Sequence, residues 1–393
     1  MAVVGITGID VGASGVRAAE SVLSKTGEAT LRRFGQRALP VGAVRGGVAL
    51  DPAAVGRVVK EMWKEVAFPS TRVHLAVSSS QVAVRSIALP DLEPAELARA
   101  LPFLVRDVVP IPLDRAIIDF VPTGERDSDG KRSGLLVAIP SEPVSGIVRA
   151  LERAGLDVES VDLAAFAALR ALLRSDASGE LSAVVDLGAT MTTVMVQEGG
   201  IPIMLRTVAR GGDDITDVLS ERLGLSRAEA EAQKRRVGLD DSVDANVAEV
   251  VRAALAPVLS EIRSSLAYFA TSNPGKSVQE VRLTGGGSAL AGIREAVASQ
   301  QRLPVSVADP SSTILIAPHN ADAILFSAVS APAIGLTLGG SIDQSTRNNA
   351  QRRTALRRRI SAGLSASRFG KRPVGAGQPA PGLDSPGEID KTD

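Results

Sequence analysis

Two stretches of this chain repeat one pattern, and the repeat limits what the chain can fold into. "GITGIDVGASGVRAAE", residues Gly5–Glu20, reads as a strand, an Asp-x-Gly turn and a second strand. "AVVDLGATMTTVMV", residues Ala183–Val196, reads the same way, with Asp186 and Gly188 matching Asp10 and Gly12. Such a turn offers backbone N–H groups and hydroxyls in a concave arc, which suits phosphate oxygens. Glycine lets the backbone approach a ligand with no Cβ in the way. An Asp at the end of a strand can hold a hydrated divalent cation, and Arg17 can neutralise phosphate charge. A third element, "VRLTGGGSALAGI" at Val281–Ile293, sets three glycines between a strand and a helix, an open floor for a nucleotide. Taken singly, each piece is more often an ordinary hairpin or loop punctuation; their order along the chain carries the meaning.

The rest of the composition excludes much. The 393 residues suffice for two or three domains or one large fold with subdomains. Lys+Arg and Asp+Glu are each 44, so there is no bulk preference for nucleic acid. No cysteine is present, which removes disulfides, thiolate catalysis and Cys-based zinc sites. Two histidines, His74 and His319, argue against a His-rich metal site. No apolar run approaches a membrane span and no secretory signal opens the sequence, so a cytoplasmic protein is expected.

Along the chain, strands are expected at Val3–Val11, Gly15–Leu23, Ala29–Ala38 and Arg72–Ser78, with a helix over Asp51–Val66 capped by Asp51. From 81 to 159 the rhythm changes to a compact α+β unit, read as an insertion. A helix is expected at Asp162–Ser175, then three short strands, two helices over 211–238, a long helix over Asn246–Phe269 and a last helix at Ala321–Ile334. Trp63 and Tyr268 fall on apolar helix faces and are expected in a core or interface. From Arg347 to Arg372 there are nine Lys/Arg and no acidic residue, and beyond Pro373 the chain is rich in Pro and Gly. This tail is read as largely disordered.

The two Asp-x-Gly turns and the glycine run, in this order, resemble the two phosphate motifs and the adenosine motif of the actin-like ATPase superfamily. The insertion narrows the branch. "GVALDPAAVGRVVKEMWKEV", "VRSIALPDLEPAELARALPFLVRDVVPIPLDRAIIDF", "ERAGLDVESVDLAAFAALRAL" and "FSAVSAPAIGLTLGG" resemble the type IV pilus assembly PilM family, close to FtsA, over about residues 3–340. The resemblance implies an α/β, actin-like two-lobed fold of duplicated ribonuclease-H-like lobes. The first lobe would be 1–80, completed by 160–178 and about 317–340. A partner-binding subdomain would be 81–159, the second lobe 179–316 with a smaller part at about 211–277, and the tail 341–393.

Carried over by position, the resemblance implies a first phosphate loop of Asp10, Gly12, Ala13, Ser14, Gly15 and Arg17, with Arg17 standing where relatives usually have Lys. It implies a second loop of Asp186, Gly188, Ala189, Thr190 and Thr192, and a following turn of Gly211, Gly212 and Asp213. Glu231 and Lys234 would reach the ribose and base, and Gly285, Gly286, Gly287 and Ser288 would form the adenosine floor. ATP and Mg²⁺ are the implied cofactors, the ion held by Asp10 and Asp186 through water. Hydrolysis would be slow at most, because Asp162–Ala168 offers no Gln or His to orient water. The implied partner is the N-terminal cytoplasmic peptide of a PilN-like membrane protein, met at the cytoplasmic face of the inner membrane, with Leu89–Pro112 contributing. Other pilus assembly proteins and self-association are left open.

Two alternatives remain at this stage. A sugar or acyl kinase of the same superfamily would need a larger substrate-binding insert. An FtsA-like membrane tether would use the tail, where Leu356, Ile360 and Leu364 recur among arginines. That apolar face is thin, and a solvated basic tail is preferred to direct membrane contact.

Overall fold

The computed structural model describes residues 5–24, 28–173, 179–317 and 328–338. His319, residues 321–327 of the expected last helix and the basic tail lie outside the described residues.

Strands β1 (Gly5–Val11), β2 (Gly15–Leu23) and β3 (Ala29–Ala38) form an antiparallel meander. A small hairpin follows, β4 (Val44–Arg45) and β5 (Val48–Ala49). Helix α1 (Pro52–Val66) starts where Asp51 accepts a hydrogen bond from the Ala54 N–H at 2.9 Å, and it buries Val55, Val58, Val59 and Met62 at helical spacing. Strand β6 (Arg72–Val77) then pairs in parallel with β1.

The insertion comprises β7 (Ala83–Pro90), α2 (Pro94–Leu104), β8 (Ala116–Arg126) and β9 (Lys131–Pro140), its sheet ordered β7-β9-β8. It has its own apolar cluster, including Leu89, Leu101, Val105, Ile118, Phe120 and Leu136. Helix α3 (Ser141–Arg153) instead packs beside α1, and β10 (Asp157–Leu163) pairs in parallel with β6. The stretch 81–159 is therefore divided: its last helix and strand return to the first lobe. Asp162, expected inside a helix, lies in β10, and helix α4 (Ala164–Leu173) begins only after Leu163.

The second lobe repeats the first. Strands β11 (Leu181–Leu187), β12 (Thr192–Glu198) and β13 (Ile201–Val208) form its meander. Helices α5 (Gly212–Leu223), α6 (Arg227–Val237) and α7 (Asp241–Ser272) lead to β14 (Glu280–Thr284), α8 (Ile293–Gln301) and β15 (Val305–Val307). Helix α7 is longer than the sequence suggests at both ends, and a non-helical Asp244 breaks its first turns. Strand β16 (Leu315–Ile316) crosses back to pair with β3, and α9 (Ala331–Thr337) closes the described chain.

The sheets are β10-β6-β1-β2-β3-β16 and β13-β12-β11-β14-β15. In both, one meander is extended by parallel strands beside its first strand. The alternation of strand side chains then decides which core each residue joins. In the second sheet Ala183, Val185, Val194 and Val196 face the α5–α8 layer, while Val184, Met195 and Leu205 form one cross-strand row. That row belongs to the same apolar cluster as the first lobe's core. Between the lobes α4 and α9 cross so closely that a Cβ on Gly335 would collide with the Ala167 carbonyl. Trp63 packs tilted on Phe68, centroids 4.5 Å apart, and donates to the Ser70 carbonyl at 3.0 Å. Tyr268 is 57 % exposed, because α7 keeps that side on solvent and buries Phe269 instead.

Candidate functional site

The two turns close identically. The Gly12 N–H donates to the Gly15 carbonyl at 3.0 Å, and the Gly188 N–H donates to the Met191 carbonyl at 3.0 Å. Each sits where the first strand of a lobe hands over to the second, with its Asp at the strand end.

In the first turn Arg17 folds back over the loop. Its guanidinium donates to Ser14 Oγ at 3.1 Å and to the Gly15 carbonyl at 3.3 Å, and lies 3.7 Å from Asp10 Oδ2. Asp10 and Arg17 are both buried, and the Arg17 Nε–H has no partner among the described residues. Burial pushes the Asp10 carboxyl up to about 6; Arg17 opposes the shift and the Asp186 carboxylate adds to it. Burial likewise pushes half-buried Asp186 up to about 6, again opposed by Arg17. The two aspartates and the one arginine thus interact across the lobes.

The second lobe gathers the remaining turns around Gly188. The Gly212 N–H donates to the Gly188 carbonyl at 2.9 Å, and the Asp213 N–H to the Ala189 carbonyl at 2.7 Å. Gly285, at φ +78°, is pressed against Asp186: a Cβ there would strike the carboxylate, and the left-handed backbone independently requires glycine. Gly287 is similarly pressed against Leu187, and Ser288 Oγ closes its own turn on the Gly285 carbonyl at 2.7 Å. Thr192 Oγ1 donates to the Arg210 carbonyl at 2.8 Å, and Thr190 Oγ1 accepts from the Gly46 N–H of the first lobe at 3.3 Å.

Lys234, Glu231 and Asp213 are tied into this architecture. Lys234 Nζ, buried, donates to the Gly212 carbonyl at 2.8 Å and to Thr216 Oγ1 at 2.7 Å. Glu231 lies 2.6 Å from Lys234 and 2.7 Å from Thr216. Burial pushes the Glu231 carboxyl up, but hydrogen bonds from Lys234, Thr216 and Arg235 outweigh it and hold the group at about 2. Burial raises the Asp213 carboxyl, and Arg227, at 3.1 Å, opposes this. These side chains brace the Gly211–Gly212 turn from behind. Sequence reasoning missed Thr216, which joins Lys234 to Glu231, and Gly46; the Gly-Gly pair inside "VRGGVA" was the available signal for the latter. A depression of about 430 Å³ lined by Arg263, Leu266, Ala267, Ser299, Arg302 and Leu303 lies on α7 and α8, and none of the residues of these turns lines it.

A sequence model described as "Type IV pilus assembly protein PilM" matches residues 8–340. Among solved structures, the PilM-PilN type IV pilus biogenesis complex is similar with a TM-score of 0.76 and 25% identity, covering 86% of this chain and 98% of that one. The cell division protein FtsA of Bacillus subtilis (strain 168) is 30% identical over 145 residues, 33% of each chain. FtsA of Streptococcus pneumoniae serotype 2 is 23% identical over 261 residues, 59% of this chain and 55% of that one. The chain thus spans between a third and just over half the length of these curated relatives. The duplicated sheets, the paired Asp-x-Gly turns and the match over nearly the whole chain agree: this chain has the actin-like two-lobed fold and belongs to the type IV pilus assembly protein PilM family.

Proposed function

We propose that this chain binds Mg²⁺-ATP between its lobes, and that the bound nucleotide sets the conformation in which it docks the N-terminal tail of a PilN-like membrane protein. The observation that carries the nucleotide reading is the convergence of Asp10, Arg17 and Asp186 from two lobes, with Gly285 and Gly211 packed on the second turn. The residues fit the cofactor. Two carboxylates raised by burial lack enough positive charge around them, and a divalent cation would supply it. Among the described residues no group of three or more His, Asp or Glu could enclose a metal, so water and phosphate oxygens would complete the ion's shell. The unpartnered Arg17 Nε–H and the turn amides are donors suited to phosphate.

Turnover would be slow. Asp162, the carboxylate of the segment between the lobes, is held by Arg170 at 2.5 Å and by the Leu163 N–H at 2.8 Å, which leaves it poorly placed to orient an attacking water. For docking, the insertion exposes Leu92, Phe103, Leu104 and Val108 on and around α2, an apolar surface suited to a short peptide. The similar solved structure is a PilM-PilN complex. No described helix is long and apolar enough to cross a membrane, so in this reading the partner brings the chain to the cytoplasmic face of the inner membrane.

Titration calorimetry with Mg²⁺-ATP, followed by capture of the full chain on a PilN-tail peptide with and without ATP, tests both halves. Binding and ATP-dependent capture are expected. Capture indifferent to ATP removes the switch, and absent nucleotide binding removes the site.

A further inference from the structure

The β4–β5 hairpin meets the second Asp-x-Gly turn through Gly46. Its turn, Gly46–Gly47, is left-handed at both residues, with φ +58° and +84°. A Cβ on Gly47 would collide with the Ser78 carbonyl, and the Ser80 N–H donates to the Gly46 carbonyl at 3.3 Å. The turn is therefore seated on the segment that follows β6, and from there the Gly46 N–H reaches Thr190 Oγ1 in the second phosphate turn. Arg45 stands beside Gly46. Val44 points into the core, while Arg45 is exposed and makes no hydrogen bond or ion pair with any described residue. Other arginines near these turns are committed: Arg17 to Asp10, Arg37 to Glu61 and Glu65, Arg227 to Asp213. From the second lobe Arg210 stands immediately before Gly211, with its carbonyl bound by Thr192 and its guanidinium exposed and without a partner among the described residues.

We propose that the β4–β5 hairpin is a first-lobe part of the phosphate site, with Arg45 contacting the terminal phosphate of a nucleoside triphosphate and Arg210 facing it from the other lobe. This rests on the nucleotide reading above. A guanidinium binds a phosphate through two parallel hydrogen bonds, and its long side chain, rooted one residue from Gly46, can reach a group bound at Thr190. A phosphate oxygen arriving there takes over the Thr190 hydroxyl that Gly46 engages in this structure. A triphosphate is then held from both lobes, and a diphosphate, one group shorter, by the two Asp-x-Gly turns without the hairpin. Arg45 thereby discriminates between the two.

Calorimetry on the full chain with Mg²⁺-ATP and Mg²⁺-ADP tests this, using Arg45→Ala, Arg45→Lys and Arg210→Ala, with Arg57→Ala on the exposed side of α1 as control. Arg45→Ala is expected to weaken Mg²⁺-ATP about tenfold or more while Mg²⁺-ADP changes less than about twofold. Arg45→Lys recovers part of the loss, Arg210→Ala shows the same direction with a smaller change, and Arg57→Ala matches the native chain. Equal losses for ATP and ADP, or none for either, overturn the proposal while leaving the nucleotide site in place. If the native chain binds neither nucleotide, the site itself is refuted and the hairpin's role with it.

Discussion

The two Asp-x-Gly turns have the same backbone closure but opposite electrostatic solutions. The first carries its own cation, Arg17, which is laid over the loop and turns its two terminal nitrogens to Ser14, Gly15 and Asp10 while its Nε–H stays unpaired among the described residues. The second has no cation of its own. Its surroundings are glycines from two other segments, and its threonines are bonded to Arg210 and Gly46 rather than to a charged side chain. One geometry can therefore do two jobs. The first turn is braced by a guanidinium of its own strand, and the second by backbone and hydroxyl groups of other segments.

The largest expected effect separates the two turns. Asp186→Ala should weaken Mg²⁺-ATP binding about 100-fold by calorimetry, since in the proposed site it removes the carboxylate that would hold the ion beside a turn with no guanidinium of its own. Asp10→Ala should cost less, because Arg17 remains to face the phosphates; equal losses would show the two turns to be equivalent. The next effect is on stability. Asp10 titrates at about 6 in the folded chain and at 3.8 when unperturbed, so the folded state holds its proton more tightly. Asp10 alone should cost the ligand-free protein up to about 3 kcal/mol of stability as pH rises from about 4 through about 6. Thermal unfolding followed across that window should show the fall, Asp10→Asn should reduce it and leave the part owed to Asp186, whose carboxyl is raised in the same way, and Mg²⁺-ATP should offset it above pH 6. A rise in stability over the same window would contradict the burial of an uncompensated charge. Third, Arg17→Lys keeps the charge but cannot span Ser14 and Gly15 together, and is expected to weaken nucleotide binding about tenfold. The smallest effect belongs to Thr192→Val, which loses one hydrogen bond to the Arg210 carbonyl and should destabilise the fold by about 1 kcal/mol in denaturant unfolding.

Much of this was legible in the sequence because short-range rules governed it. The turns at Asp10 and Asp186 follow from glycine and hydroxyl residues between alternating strands, and α1 from the Asp51 cap ahead of a period of valines. What was not legible depended on long-range partners. Nothing local tells that β10 pairs with β6 rather than with the insertion's sheet, since a short mixed strand fits either. The i, i+3 spacing of Glu231 and Lys234 placed both on one helix face, but their shared contact, Thr216, lies on another helix. The hairpin at Gly46 is only two residues per strand, too brief for periodicity to register, and it is held by Ser78–Ser80 far along the chain.

The row Val184, Met195 and Leu205, buried in one cluster with the first lobe, has a mechanical consequence. Prising the halves apart would wet these side chains, so the molecule resists separation. It should therefore melt as one cooperative body, the two sheets losing their shared apolar seam together rather than one after the other.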